Sequence, residues 1–386
     1  MQHGIKVLQI GESAKEFGGI EAFLYENYKY FNRELVHWDY LYFHSNPFER
    51  KIDSPILEKS KFYVLNFNDN DWRKLGIIRY AILYKQLLEF LNSNHYEVVH
   101  LHVGSTIIQF ICMLVIRNIN HTRLVLHAHS KTPRNILKEI LICNPLRRLS
   151  IKHCDYLMSC SIPAGKYLFG SISNFFVIPN GVDVSRFCFN PSFRATMRDQ
   201  LELSGLFVLG HVARLTKVKN QSFLLKVFYE FNRLCPKSKL LIVGDGEMRT
   251  VLENEAKDLG ISDSVIFAGA KTNTEAYYQA MDVFVLPSFS EGLSIVTVEA
   301  QASGIPCVVS TGVPKEADIG AGLVLRKDLS DGEESWAETI LSFRNFKRKD
   351  TSDAVRRAGF DVATTAAWLE DFYLRVASGE KVVLKK

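Results

Sequence analysis

The tightest constraint on this chain's fold lies between Val283 and Ser303, which reads as strand, turn and helix without a gap. Val283 to Leu286 is uninterruptedly apolar, as in a parallel strand covered on both faces. Pro287 ends it, and a small polar loop runs to Glu291. Gly292 is expected to make the tight turn. Ser294 is expected to N-cap a helix from about Ile295 to Ser303. Open α/β sheets bind ligands beyond the carboxyl ends of their strands. The amides of Leu293, Ser294 and Ile295 would face that crevice, a natural seat for phosphate. Two acids flank the turn: Glu291 on the loop and Glu299 within the helix. Most such acids are solvated surface groups. Glu299, however, sits in the run IVTVEAQASGIPCVV, where a carboxylate without hydroxyl or cation partners would be costly.

The remaining chain repeats the unit. Strand-like segments recur at Ile5–Ile10, Trp38–Phe43, Phe62–Leu65, Val98–His102, Leu124–Ala128 and Leu157–Cys160, with helical stretches such as Gly76–Leu91 between them. This alternation predicts a parallel sheet with crossover helices. A second series follows at Phe207–Ala213, Leu240–Val243, Val265–Phe267, Val283–Leu286 and Pro306–Ser310. The 386 residues suit two domains rather than one core. A net charge of +5 is mild and does not imply nucleic acid, but suits an anionic donor or membrane surface. The seven cysteines include no Cys-x-x-Cys pair and read as reduced, in a cytoplasmic protein. With a strand expected at once from Ile5, no signal peptide is expected, and the longest apolar run, Ile107 to Ile116, is too short to span a bilayer.

Glu291, seven residues, then Glu299, with Gly-Leu after the first acid and Ala-Gln-Ala-Ser-Gly-Ile-Pro after the second, resembles the retaining nucleotide-sugar glycosyltransferases of family 4. These are the glycosyl transferases group 1 of the bacterial surface-polysaccharide type. The resemblance covers nearly the whole chain and is most specific over 207–311. It implies the GT-B fold: α/β, with two Rossmann-like doubly wound domains facing each other across a cleft. The expected boundaries are an acceptor-binding domain at 1–185, a nucleotide-sugar-binding domain at 206–360, and a helix at 361–386 crossing back to the first domain. The polar stretch 183–206 is expected to be the linker.

The same resemblance assigns roles. Arg214 and Lys219, on the loop RLTKVKN after a strand, would hold the diphosphate, Arg as a fork and Lys as a point charge. They would stabilise the leaving group together with the amides of Leu293 and Ser294, and Gly292 would also bind the donor. Glu299 would take the ribose hydroxyls and Glu291 the donor sugar's hydroxyls. Gly244 and Gly269 end strands that line the nucleotide. Gly18 and Gly19, in a strand–glycine–helix turn that alone is weak evidence, would lie against the diphosphate. The implied donor is a nucleotide diphosphate sugar, with UDP favoured, and the implied acceptor a glycan or lipid-linked hydroxyl. The implied activity is that of a retaining, metal-independent hexosyltransferase with no cofactor. Rival readings are a nucleotide-sugar epimerase or hydrolase on the same fold, or a non-catalytic subunit of a glycan-assembly complex.

Three features need separate weighing. Alternation places His100 with His102, and His127 with His129, on one side of the sheet. A zinc reading is set aside because no acidic or Cys ligand accompanies them at metal spacing. The resemblance puts a histidine near the transferred sugar and acceptor; His129 matches best, His127 is the alternative, and His102 joins them on the acceptor side. Asp69-Asn70-Asp71 resembles a metal-binding Asp-x-Asp but lies in a polar loop, and reads as a solvated turn. Residues 131–153 interleave basic and apolar side chains. They read either as a covering helix with a solvated basic face or as a peripheral contact with anionic membrane at the inner face of the plasma membrane.

Overall fold

The computed structural model describes residues 4–11, 19–43, 55–65, 75–119, 121–129, 143–170 and 174–383. The chain forms two compact units, Met1–Gly181 with Val362–Lys386, and Val182–Asp361.

The first unit carries β1 (Ile5–Gly11), β2 (Val36–Tyr42), β3 (Phe62–Val64), β4 (Val98–His102), β5 (Arg123–Ala128), β6 (Tyr156–Ser159) and β7 (Phe176–Val177). Their spatial order is β3-β2-β1-β4-β5-β6-β7, and every pairing is parallel. The winding reverses between β1 and β4, which makes that junction a topological switch point. Side chains alternate across the sheet. Leu8, Ile10, Val99, Leu101, Leu124 and Leu126 point to one face, under the helices Ile78–Ser93 and Thr106–Ile116. Val7, Val98 and Val125 point to the other, under Gly19–Tyr28 and Val362–Ala377. The helix Val362–Ala377 buries Leu369, Phe372, Tyr373 and Val376 on that face. Each of its aliphatic and aromatic anchors is worth about 1.5–3 kcal/mol.

The second unit carries β8 (Phe207–Val212), β9 (Ser238–Val243), β10 (Val265–Gly269), β11 (Val283–Leu286), β12 (Cys307–Ser310) and β13 (Val324–Lys327). Their order is β10-β9-β8-β11-β12-β13, again wholly parallel. Here the switch point falls between β8 and β11. β11 is wholly apolar and β8 is apolar but for the buried His211; both are covered on both faces, which explains their lack of alternation.

Several expectations need correction. Stretch 183–206 is not an open linker. It forms the helices Val184–Phe187 and Pro191–Gln200, which belong to the second unit. Arg194 and Arg198 from the latter both pair with Asp282, at 2.5 and 3.1 Å. The helix expected at 361–386 is Val362–Ala377, within the first unit, and Ser352–Arg357 before it belongs to the second. They are separated at Gly359, whose φ of 79° breaks the helix. The helix expected at Gly76 begins at Ile78, because Gly76 is left-handed. Gly18, Asp69 to Asp71 and residues 131–142 lie outside the described residues.

Candidate active site

In the second unit, two loops meet at the β8–β11 switch point. Ala213 to Asn220 follows β8 and contains a 3-10 turn at Lys217–Lys219. Asn220 takes a left-handed conformation, with φ of 55°, and starts the helix Gln221–Leu234. The other loop, Pro287 to Ser294, follows β11. Phe289 N–H donates to Val218 C=O at 2.9 Å and stitches the loops together. This apposition brings Lys219 Nζ to 2.6 and 2.7 Å from the two carboxylate oxygens of Glu291. Ser288 Oγ donates to the same carboxylate at 2.6 Å. Glu291 N–H donates to Gly312 C=O at 3.0 Å and fixes the acid's backbone.

The residue that makes the turn is Ser294, not Gly292. Ser294 has φ 63° and ψ 63°, whereas Gly292 has no positive φ. Nor does the Ser294 side chain cap the helix Ile295–Ala302; its Oγ pairs with Thr297 Oγ1 at 2.8 Å. The helix therefore starts without a side-chain acceptor. The amides of Leu293, Ser294 and Ile295 make no hydrogen bond among the described residues. Unsatisfied helix-terminal N–H groups of this kind favour an anion.

Glu299 is half-buried on this helix and accepts from Tyr278 Oη at 2.9 Å. Burial, reinforced by the Glu299 charge, holds the Tyr278 phenol well above its ordinary range, so it remains a donor. Arg214 is exposed at the start of its loop. Its backbone is held from beneath: Gln221 Nε2 donates to Arg214 C=O at 3.1 Å and contacts His211 Nε2 at 3.2 Å. Burial lowers His211 to about 4. It is therefore neutral, with Nδ1–H donating to Val285 C=O at 2.8 Å and Nε2 accepting from Gln221.

Gly244 and Gly269 close the loops after β9 and β10. Gly244 N–H donates to Gly269 C=O at 2.9 Å. A Cβ on Gly244 would lie 1.9 Å from Ala213 C=O, so no other residue allows this loop to touch the one carrying Arg214.

In the first unit, the register sets Gln9 of β1 beside His100 of β4, and His100 beside Val125 of β5. His100, His102 and His127 are all buried on the face carrying Phe23 and Tyr373. One ligand-capable atom from each lies within 4.8 Å of the others. His129 is half-buried at the end of β5. The rings pair with one another: His102 Nδ1 with His129 Nε2 at 2.8 Å, and His127 Nδ1 with His100 Nε2 at 3.2 Å. Phe23 stacks edgewise on His127 and His129. Burial pushes His100, His102 and His127 well below the usual histidine range and His129 to about 3. The cluster is neutral. Gly19 opens the helix that carries Phe23, and among the described residues a Cβ there would meet only Asn180 Nδ2, at 3.8 Å.

Reading the sequence alone misses the partners of these groups. Gln9, Phe23, Ser288, Tyr278 and Tyr373 each touch a site residue and none stands in a recognisable motif. Gln9 alone carries a signal, as a polar residue inside the apolar strand IKVLQI.

Two doubly wound parallel units, each with a switch point, are the architecture of the GT-B glycosyltransferases. The chain belongs to the glycosyl transferases group 1, whose family profile matches residues 193–321. It is 30% identical over 370 residues to the Bacillus subtilis (strain 168) protein named "Putative glycosyltransferase EpsF", covering 92% of this chain and 93% of that one. It is 27% identical over 332 residues to the Escherichia coli UDP-Gal:alpha-D-GlcNAc-diphosphoundecaprenol alpha-1,3-galactosyltransferase, covering 78% and 81%. Among solved structures it is similar to Anabaena Alr3699/HepE in complex with UDP. The TM-score is 0.71 at 18% identity, over 95% of this chain and 99% of that one. No helix of the described residues is long and apolar enough to cross a membrane.

Proposed function

We propose that this glycosyltransferase moves a hexose from a UDP-sugar to a hydroxyl of a glycan or lipid-linked acceptor in surface-polysaccharide assembly, with retention and without a metal. The observation that carries the reading is the Lys219–Glu291 pair beside the unpaired amides of Leu293, Ser294 and Ile295. An arriving diphosphate competes with Glu291 for the Lys219 ammonium and takes the amides. Glu291 is then free to accept from the donor sugar's hydroxyls, and Glu299 from the ribose. Arg214 and Lys219 offset the charge growing on the departing diphosphate. The family resemblance would further assign Gly18 and Gly19 to the diphosphate, Gly244 and Gly269 to the nucleotide, and His129, with His102 and His127 on the acceptor side, to the sugar and acceptor.

The choice of uridine and of a lipid-linked acceptor draws on the names of the Escherichia coli relative and of the Anabaena complex. The alternative of a metal-borne diphosphate is less suited to a site already furnished with two cations and three amides. The protein would act in the cytoplasm at the membrane's inner face, with 131–153 as the contact. The test is sugar transfer from labelled UDP-sugar to a diphosphate-lipid acceptor in excess EDTA, with product anomer analysis. Acceptor-dependent product with the donor's anomeric configuration is expected. Activity lost in EDTA and restored by Mn²⁺ would overturn the metal-free assignment.

A further inference from the structure

Four neutral histidines packed together, with no acid among them, must settle who donates to whom. Gln9 decides it. Its Oε1 lies 2.8 Å from His102 Nε2, and its Nε2 lies 3.4 Å from Tyr373 Oη. A carbonyl oxygen only accepts, so His102 carries its proton on Nε2. A neutral imidazole has one proton, so His102 Nδ1 is bare. That bare nitrogen lies 2.8 Å from His129 Nε2, which must donate. His129 is thereby the Nε2–H tautomer, and its Nδ1 is an acceptor that makes no hydrogen bond among the described residues.

The other branch follows from the same amide orientation. Gln9 Nε2–H donates to Tyr373 Oη, and Tyr373 donates its own proton to His100 Nδ1 at 2.5 Å. His100 Nε2–H then donates to His127 Nδ1 at 3.2 Å. The chain ends at His127 Nε2, buried without a hydrogen-bond partner next to the Phe23 ring. One amide, clamped by one phenol, thus orders the protons of all four rings.

We propose that Gln9, held by Tyr373 and acting through His102, is a positioning residue that fixes the tautomer in which His129 offers a bare Nδ1 to a substrate sugar hydroxyl. The role of that nitrogen rests on the glycosyl-transfer reading above; the tautomer does not. A hydroxyl donates to this nitrogen, whereas an Nδ1–H would meet it as a second donor.

Long-range ¹H–¹⁵N spectra of the imidazoles distinguish Nε2–H from Nδ1–H, with His129 assigned by difference from His129→Asn. The full-length protein should show His129 as Nε2–H. Gln9→Met removes the accepting oxygen at similar volume, and Tyr373→Phe removes only the hydroxyl that clamps the amide. In each, an Nδ1–H population should appear at His102 and His129. The kcat for transfer should fall in proportion to the Nε2–H fraction that remains, with donor KM unchanged. An Nδ1–H His129 in the wild type, a tautomer unmoved in both variants, or zinc-bound imidazole shifts in the purified protein would overturn the proposal. So would a kcat that ignores the tautomer fraction. A wild type with the expected tautomer and no transfer from any UDP-sugar would instead refute the proposed reaction.

Discussion

Removing the Lys219 ammonium tests stability and catalysis separately. Its two contacts with Glu291, at 2.6 and 2.7 Å, join side chains that are 21% and 9% exposed. At an effective dielectric of about 20, unit charges about 2.7 Å apart attract by ~6 kcal/mol. Desolvating both ions takes back several kcal/mol of this. The residual Lys219 exposure places the net coupling at about 1–3 kcal/mol, above an ordinary surface pair. Lys219→Ala leaves the Glu291 carboxylate with Ser288 as its one side-chain partner among the described residues. A loss of about 2 kcal/mol corresponds to a fall of about 4–8 °C in the melting temperature of a unit this size. Glu291→Gln in the same background removes the orphaned charge and should recover most of that loss. Catalysis should not recover, because the leaving group still lacks its cation, a deficit of about 10²–10³ in kcat for a donor of this type. Lys219→Arg should restore only part, since a planar fork does not replace a compact ammonium. The assays are calorimetric melting and steady-state sugar transfer on the four members of the double-mutant cycle. A coupling energy near zero would refute the stability argument, and near-normal kcat in Lys219→Ala would refute the charge assignment.

Other outcomes are open to direct measurement. Glu299→Gln should weaken binding of free nucleoside diphosphate, whereas Glu291→Gln should cut turnover and leave that affinity nearly intact; equal effects in titration calorimetry would contradict the assignment. The buried histidines His100, His102 and His127 have folded pKa values depressed below their unfolded values. Their stabilising contribution is therefore complete above about pH 6.5 and lost as pH falls, by up to about 1.4 kcal/mol per pH unit for each ring. Denaturant melts at pH 7 and pH 5 that coincide would count against the neutral cluster. If 131–153 binds membrane, co-sedimentation with anionic vesicles should occur at low salt and fade as salt rises. Charge reversal of the exposed Arg148 and Lys152 should weaken it; indifference to anionic vesicles leaves that segment a covering helix.

Periodicity and local chemistry carried much of this protein in its sequence. Apolar runs of strand length, separated by helical spacing, dictated two wound parallel sheets, because a strand buried on both faces has no polar alternative. The two-residue period likewise put His100 with His102 and His127 with His129 on common faces. The Glu291–Glu299 spacing marked a loop at the second unit's switch point, since one acid follows a strand and the other rides the next helix. Local signals failed where a position depends on what another segment brings to it. Gly292 looked like the turn residue, yet Ser294 adopts the left-handed conformation. The stretch 183–206 looked like an open linker, yet it forms two helices of the second unit. Lys219 and Glu291 lie 72 positions apart, and Tyr373 and His100 lie 273 apart. A side-chain period specifies which face a residue occupies, not which distant element covers that face. Strand order decides that, and strand order emerges only when the whole chain has packed.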